Sequence, residues 1–483
     1  MKRFFLTIIT FLCFLSVFAQ GADDACLFSQ TYYQGTAKAL GMGNAMGAVG
    51  GDMTAININP AGMGIYRSNE FTTTLNLLDN FHTSQYYGAQ TSANRIRLSI
   101  PNIGWISTKQ RSNYRPLRFT QFGIGLTRIN DYNIHTNARG INPTSSRIDN
   151  YLARIDGYSQ LELQDEFPYD IYPAWKTYLI DLYQDADGPY YGSPVPQGNI
   201  WQGQECDFKG RSEAWTFAGS ANFNDRYFIG ISADLAHIKR EGQKLFKESR
   251  VEGTDTDFNQ WKFSEDISST GWGGNVKVGF IYYATRYLRF GGAFHSPTIY
   301  NFSESWQTTT ESEINWITQK SLSPQSYYEY TFIKPLKWVG SLAFVIGQQG
   351  IISLDAEYTN YGAARFYAND YDYSYVNEDI KGIYGKTFNF RLGTEWSLGT
   401  SYLRAGAAYY GSPFGLGESG GSVKKASCGI SVPVSESTTF DFAYELSHGK
   451  TYTFLYDAGD LGIESITQKQ FKHILATTLK VRF

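Results

Sequence analysis

The chain of 483 residues carries 42 Lys and Arg against 45 Asp and Glu, a balance that excludes nucleic acid as a partner. Its four cysteines are too few and too scattered for a disulfide framework, and their spacing matches no metal site. The 36 Tyr, 33 Phe, 10 Trp and 48 Gly sit in a chain of negative mean hydropathy, and without a long apolar run in the mature chain this composition suits membrane-spanning strands rather than helices.

Residues 1–20, MKRFFLTIITFLCFLSVFAQ, place Lys2 and Arg3 ahead of an apolar run ending in small residues. This is the pattern of a secretory signal peptide cleaved after Ala19 or Gln20, and its loss takes the formal charge from -3 to -5. Asp23 stands where a lipoprotein signal needs an apolar residue, three places ahead of Cys26. Cys26, Cys206 and Cys428 remain, and the sequence leaves open whether Cys26 meets Cys206.

Residues 21–68 hold the run GMGNAMGAVGGDMTAININPAGMG at 41–64. Gly41, Gly43 and Gly47 are one residue off the dinucleotide-binding fingerprint, which requires a strand before the glycines and a helix after them. The preceding FSQTYYQGTAKAL is too polar and too short for that strand, and Pro60 would stop the helix. A segment of small residues that can fill a lumen and still rearrange is the better reading, so 21–68 is expected to be a plug, or hatch.

Period-two alternation sets the rest. Phe388, Phe390, Leu392 and Trp396 interleave with Asn389, Arg391, Gly393 and Glu395, and Phe440, Phe442, Tyr444 and Leu446 with Thr439, Asp441, Ala443 and Glu445. Fourteen strands are expected at 70–79, 96–106, 117–130, 213–223, 227–239, 272–284, 288–299, 336–347, 351–360, 387–397, 401–410, 424–434, 438–447 and 469–483. Short connections at 224–226, 285–287, 348–350, 398–400 and 435–437 alternate with long ones at 131–212, 240–271, 300–335, 361–386 and 448–468. Short turns on one side and long loops on the other are an outer-membrane pattern. The expected fold is therefore all-β: a 14-stranded antiparallel transmembrane β-barrel over 69–483 with an N-terminal luminal hatch.

No catalytic group, metal or cofactor is expected. Gly417, Ser419 and Gly421 match the esterase elbow but fall in a flexible link. Asp185, Asp187 and Gly188 lack the acidic residue that closes a calcium loop. The six histidines are scattered. The run YANDYDYSYVNEDI at 367–380 reads as a solvated loop, and the inward charges Asp355, Glu357, Arg391, Glu395 and Asp441 as a wet lumen lining that pairs with itself. In the third strand Phe122, Ile124 and Leu126 would face lipid while Gln121, Gly123, Gly125 and Thr127 face the lumen, where two glycines allow a kink, a close approach of the hatch or simple curvature.

The run TAKALGMGNAMGAVGGDMTAININPAGM, with Gly43, Ala45, Gly47, Asn59, Pro60, Ala61 and Gly62, resembles the hatch of the FadL-like long-chain fatty-acid transporters, which include aromatic-hydrocarbon channels. The resemblance implies a monomeric channel in the outer membrane of a Gram-negative bacterium. Its partners would be membrane lipids, a hydrophobic small-molecule ligand of the fatty-acid class and the barrel-assembly machinery. It also implies a ligand pocket among the long loops, a movable hatch, a lateral exit near the third strand, and Phe483 as an assembly signal. A barrel group that serves secretion of surface proteins shares a similar Asn-Pro-Ala start, so a structural or secretion-associated barrel binding protein partners is the alternative. The very long connection 131–212 departs from the transporter pattern.

Overall fold

Strand β1 (Glu70–Tyr86) pairs antiparallel with the last strand of the chain, Ile466–Arg482, from Glu70 opposite Arg482 to Gln85 opposite Thr467. The first and last strands therefore close the sheet on itself as a barrel. A computed structural model describes residues 21–111, 114–186, 188–254, 256–415, 420–456 and 462–483. The signal peptide, Asp187 of the calcium-like run, and Gly417 and Ser419 of the esterase-like motif lie outside the described residues.

The barrel has fourteen antiparallel strands. After β1 come β2 (Ala89–Gln110), β3 (Leu117–Asp131), β4 (Ile200–Phe223), β5 (Tyr227–Arg250), β6 (Phe258–Tyr283) and β7 (Leu288–His295). The second half is β8 (Lys337–Ile346), β9 (Gly350–Asn360), β10 (Lys386–Leu398), β11 (Ser401–Tyr410), β12 (Val423–Pro433), β13 (Thr438–Thr453) and β14 (Ile466–Arg482).

Burial runs opposite to that of a water-soluble sheet. In β10, Phe388 and Phe390 are 54% and 46% exposed while the alternating Asn389 and Arg391 are buried, which is stable only if the outside is apolar. On β5 and β6 the exposed apolar band is bounded below by Tyr227 stacked on Tyr282 and above by His237 stacked on Trp272. The intervening run of β5 is about 25 Å tall at roughly 3.3 Å per residue and the usual tilt, the height of a bilayer's hydrocarbon core. Among the described residues no helix is long and apolar enough to cross a membrane.

The strands run past this band, which corrects several expected connections. Residues 80–95 are a β-hairpin closed by Tyr87 and Gly88, both at positive φ. Residues 240–271 belong largely to β5 and β6, paired from Tyr227 opposite Tyr282 to Ser249 opposite Gln260. Residues 300–335 form a hairpin of Thr298–Ile314 with Ser326–Lys334. The apolar alternation stops where lipid stops, but the backbone ladder continues into water. Pro297 and Pro335, which donate no ladder hydrogen bond, separate this hairpin from β7 and β8.

Part of 131–212 is likewise strand, Ile134–Asn142 lying on the upper half of β4. Between them, helices Arg147–Arg154, Gln160–Glu166 and Ile171–Lys176 form a lid at the upper end, where the long connections lie. Ile148, Tyr151, Leu163 and Ile171 pack with Phe246, Trp261 and Phe263 of β5 and β6. Buried Glu248 ties lid to wall, accepting from Ser146 Oγ at 2.7 Å, the Arg147 amide at 2.9 Å, and Gln202 Nε2 and Trp261 Nε1 at 2.6 Å each. The 367–380 run is not a plain solvated loop: helix Ser374–Ile383 turns Val376 and Ile380 into the main core.

Candidate functional site: the filled lumen and the wall beside the third strand

The segment from Gly21 to Tyr66 lies inside the barrel as short helices, Ala22–Ser29, Ala37–Gly41 and Met53–Ile58, followed by the tighter turn Pro60–Ile65. Their starts are capped by side chains. Thr36 accepts from the Ala39 amide, Asp52 from Thr54, and Asn59 from Ala61. Asn59-Pro60-Ala61 is thus a helix start, with a capping side chain and a proline at the position that needs no donor. Gly43, Asn44, Gly50 and Gly51 turn the chain at positive φ.

The segment fits because the wall is thinned where it passes. A Cβ on Gly406 would sit 2.1 Å from the Gly43 nitrogen, one on Gly393 2.3 Å from the Met42 oxygen, and one on Gly291 2.5 Å from the Gly47 oxygen. Gly279 faces Asn59 at 2.0 Å and Gly230 faces Pro60 at 2.3 Å. Each of these wall glycines sits at an inward position of its strand. Sequence reasoning missed them; the available signal was glycine recurring at inward parity in β5, β6, β7, β10 and β11. In the segment, a Cβ on Gly47 would meet Ser341 Oγ at 2.0 Å and one on Gly62 would come 3.0 Å from the Gly50 Cα. Ala45 and Ala61 are fully buried.

Polar contacts fix the register. Asp355 accepts from the Gly47 amide at 3.0 Å, and Asp52 pairs with Lys480 at 3.2 Å. Asn57 donates to Thr127 at 3.0 Å and accepts from Thr216 at 2.9 Å and Lys277 at 3.2 Å. Asn59 donates to the Gly47 oxygen at 2.7 Å and the Phe280 oxygen at 3.0 Å. The inward charges pair between nearby strands of the wall, Arg391 with Glu357 at 3.1 Å, and Arg404 with Glu395 at 2.6 Å and Asp441 at 2.9 Å. They lie in a packed interior rather than on a wet lining, and removing one partner there strands a buried charge.

The four third-strand residues all touch this segment. Gln121 donates to the Gly64 oxygen at 3.2 Å and the Tyr66 oxygen at 3.0 Å, and Thr127 receives Asn57. A Cβ on Gly123 would be 2.8 Å from Met63 Sδ and one on Gly125 2.0 Å from Met53 Cε. The glycines are therefore seats for two methionines. Strand β3 stays paired to β4 from Thr120 opposite Ala221 to Arg128 opposite Glu213. Its pairing with β2 covers only Asn102–Gln110. Above Pro101 the two strands part, and side chains alone bridge the seam: Arg97 pairs with Asp131 at 3.0 Å, Arg95 with Asp207, and Thr91 donates to the Asn137 oxygen.

Higher in the lumen is an aromatic chamber. Inward cross-strand pairs descend from Phe302 with Tyr330, through Tyr300 with Phe332, to Thr298 with Lys334. Phe28 of the first helix occupies it, stacked on Phe302 at 4.9 Å. Beside it Cys26 is buried, which pushes its thiol up to about 12. Lys334 is 6% exposed and donates to Thr31 Oγ1 at 3.1 Å, with no carboxylate at ion-pair distance among the described residues. Its neighbours Lys337 and Lys277 do have acids, Glu357 and Asp234.

Phe483 is 63% exposed at the lower rim, its amide donating to the Asn69 oxygen at 3.2 Å. Cys26, Cys206 and Cys428 are free thiols, so the pairing left open by the sequence is not made. No group of His, Cys, Asp and Glu among the described residues has a metal-binding arrangement.

Closed wall, inverted burial and internally filled lumen define a plugged transmembrane β-barrel. Solved structures of the same architecture include a Pseudomonas aeruginosa FadL homologue, 12% identical over 94% of this chain and 99% of that one, with a TM-score of 0.58. The toluene transporters TodX of Pseudomonas putida and TbuX of Ralstonia pickettii are each 12% identical, with TM-scores of 0.53 over 94% of this chain and 98% of that one, and 0.51 over 93% and 98%. The chain has the FadL-like barrel fold. No protein-family model and no curated protein matches its sequence.

Proposed function

We propose that this protein is an outer-membrane channel for the passive uptake of hydrophobic molecules, and that its cargo is a long-chain fatty acid. The observation that carries the cargo assignment is the inward ladder of the upper lumen, aromatic along Phe302, Tyr330, Tyr300 and Phe332 and ending in Lys334, which has no acid partner among the described residues. Burial holds the Lys334 amine well below the usual lysine range while it stands alone. An acyl chain lies along the rings and its carboxylate supplies the missing acid, restoring the ammonium and a charge-assisted bond stronger than a neutral one.

Cargo is first held on the exposed apolar residues of the lid, such as Leu161 and Tyr178. It then displaces Phe28, and the N-terminal segment acts as a hatch that shifts to let it pass. The exit is the seam between β2 and β3, where side chains rather than a backbone ladder close the wall. The outer-membrane setting is supported by the lipid-height apolar band and by the likeness to outer-wall channels for hydrophobic compounds. Mass spectrometry of lipids extracted from the purified protein tests the cargo class. Enrichment of free fatty acid over phospholipid is expected, and its absence from wild type and a Lys334→Met variant alike counts against this cargo.

A second reading, a barrel whose upper loops bind protein partners, is favoured by one feature. Trp316 at the tip of the 298–334 hairpin and Tyr327 further down its returning strand, opposite Ser305, are each 74% exposed.

A further inference from the structure

The outward positions of β4 and β5 change character abruptly above the apolar band. Phe217 and Trp215 give way to Glu213, Arg211 and Lys209; Ile231 and Leu235 give way to His237, Lys239 and Glu241. The strand register then sets Arg211 directly opposite Lys239. Like charges opposed across a ladder destabilise it unless an anion lies between them. The carboxylates nearby are weak compensation. Glu213 meets Arg211 at 2.9 Å and Glu241 meets Lys239 at 3.0 Å, with cation side chains about half exposed, and exposed pairs contribute little. Lys209 has no carboxylate at ion-pair distance among the described residues.

These cations share a cavity of about 250 Å³ at the β2–β3 seam, lined by Arg97, Asn133, Lys209, Arg211, Lys239 and Glu241. Arg97 reaches it from β2 across the gap, where Asp131 holds it. Lys239 lies one alternation above His237, so the cluster stands roughly 5 Å above the edge of the hydrocarbon band, the depth at which lipid phosphates lie.

From this we infer that the outer wall at the seam binds the phosphates of a lipid A molecule of the surrounding leaflet. The acyl chains would lie on Ile96, Leu98 and Phe217, all exposed below or beside the cluster, and the phosphate would separate Arg211 from Lys239. Lipid A is favoured over free phosphate because cationic and apolar surfaces are continuous here. The inference rests on the outer-membrane placement of the barrel and not on its cargo.

The test uses the full chain in detergent. Binding of bisphosphorylated lipid A is titrated by native mass spectrometry for the wild type and for Lys209→Gln with Arg211→Gln and Lys239→Gln. A heat-shift of gel mobility shows that each variant is a folded barrel. Single Lys209→Gln and Lys239→Gln variants serve if the triple fails that check. The triple variant is expected to bind about 10-fold more weakly or worse, and dephosphorylated lipid A to bind both proteins alike. Equal affinity of wild type and folded variants for the bisphosphorylated lipid overturns the inference. So does displacement of lipid A by inorganic phosphate at equal concentration, which marks a free-anion site. A barrel that binds lipid A but carries no fatty acid sustains this inference and removes only the transport reading.

Discussion

Gly406 of the wall and Gly43 of the luminal segment meet backbone to backbone: the side chain Gly406 lacks would start 2.1 Å from the Gly43 nitrogen. The nearest atoms on both sides are backbone, the Met42 carbonyl carbon at 2.4 Å from a Cβ on Gly406 and the Ala407 nitrogen and oxygen at 3.0 Å from one on Gly43, so a methyl group at either position must move a strand or the segment. Gly43 also adopts a φ of +60° that other residues strain to reach. Gly406→Val is therefore expected to assemble as a barrel with a displaced segment, losing about 1–3 kcal/mol from overpacking. Gel-shift temperature and leakage of a small hydrophilic solute measure the two effects. An unchanged shift temperature with no leak would mean that the contact does not hold the segment.

Lys334→Met retains most of the side-chain volume and removes the charge. Loss of a charge-assisted bond of about 1.5–3 kcal/mol weakens fatty-acid binding by roughly 10- to 100-fold. A neutral hydrocarbon of equal length should bind as before. Equal weakening of both ligands would show that Lys334 only shapes the chamber.

Cys26 reports the position of the first helix. Burial raises its thiol to about 12, so little thiolate exists at neutral pH and an aqueous maleimide should label it slowly. Saturating fatty acid, by displacing Phe28, should accelerate that labelling in a Cys206→Ser, Cys428→Ser background. Rates that do not respond to ligand would argue against helix displacement.

Phe483 makes few folded-state contacts, being 63% exposed at the rim. If it serves as an assembly signal, Phe483→Ser should lower the amount of barrel in the outer membrane several-fold, more than an exposed side chain costs in stability. Surface quantification by protease accessibility in cells reads this out, and wild-type amounts would remove the role.

The spanning strands were legible because lipid outside and charge inside impose a strict period of two, as in Phe388-Asn389-Phe390-Arg391. Their upper ends were not. Beyond residues such as His237 the outward face turns polar and the inward face keeps only scattered apolar residues such as Ile238 and Phe246, so the alternation fades while the ladder runs on to Arg250. The helix Ser374–Ile383 was hidden because its buried face rests on Val376 and Ile380 among acidic and tyrosine neighbours. Within the lumen, the small residues of the 41–64 run pointed to a filling segment. Their partners, Gly291, Gly393 and Gly406, are hundreds of positions away; their inward parity is readable in the sequence, but which luminal residue each one meets is identifiable only once the barrel is closed. Lys334 falls in sequence within the long connection 300–335; its distinction, no acid at ion-pair distance among the described residues, exists only in three dimensions.

The central claim is transport, and uptake of a radiolabelled long-chain fatty acid by intact cells tests it most directly, comparing a deletion strain with the same strain carrying the wild-type gene. Initial uptake at limiting fatty acid should fall severalfold on deletion and return on complementation. Bulky replacement of Gly43 or Gly47 should depress it with the barrel still assembled. Equal uptake with and without the protein would contradict the transport account and leave the protein-binding barrel in its place.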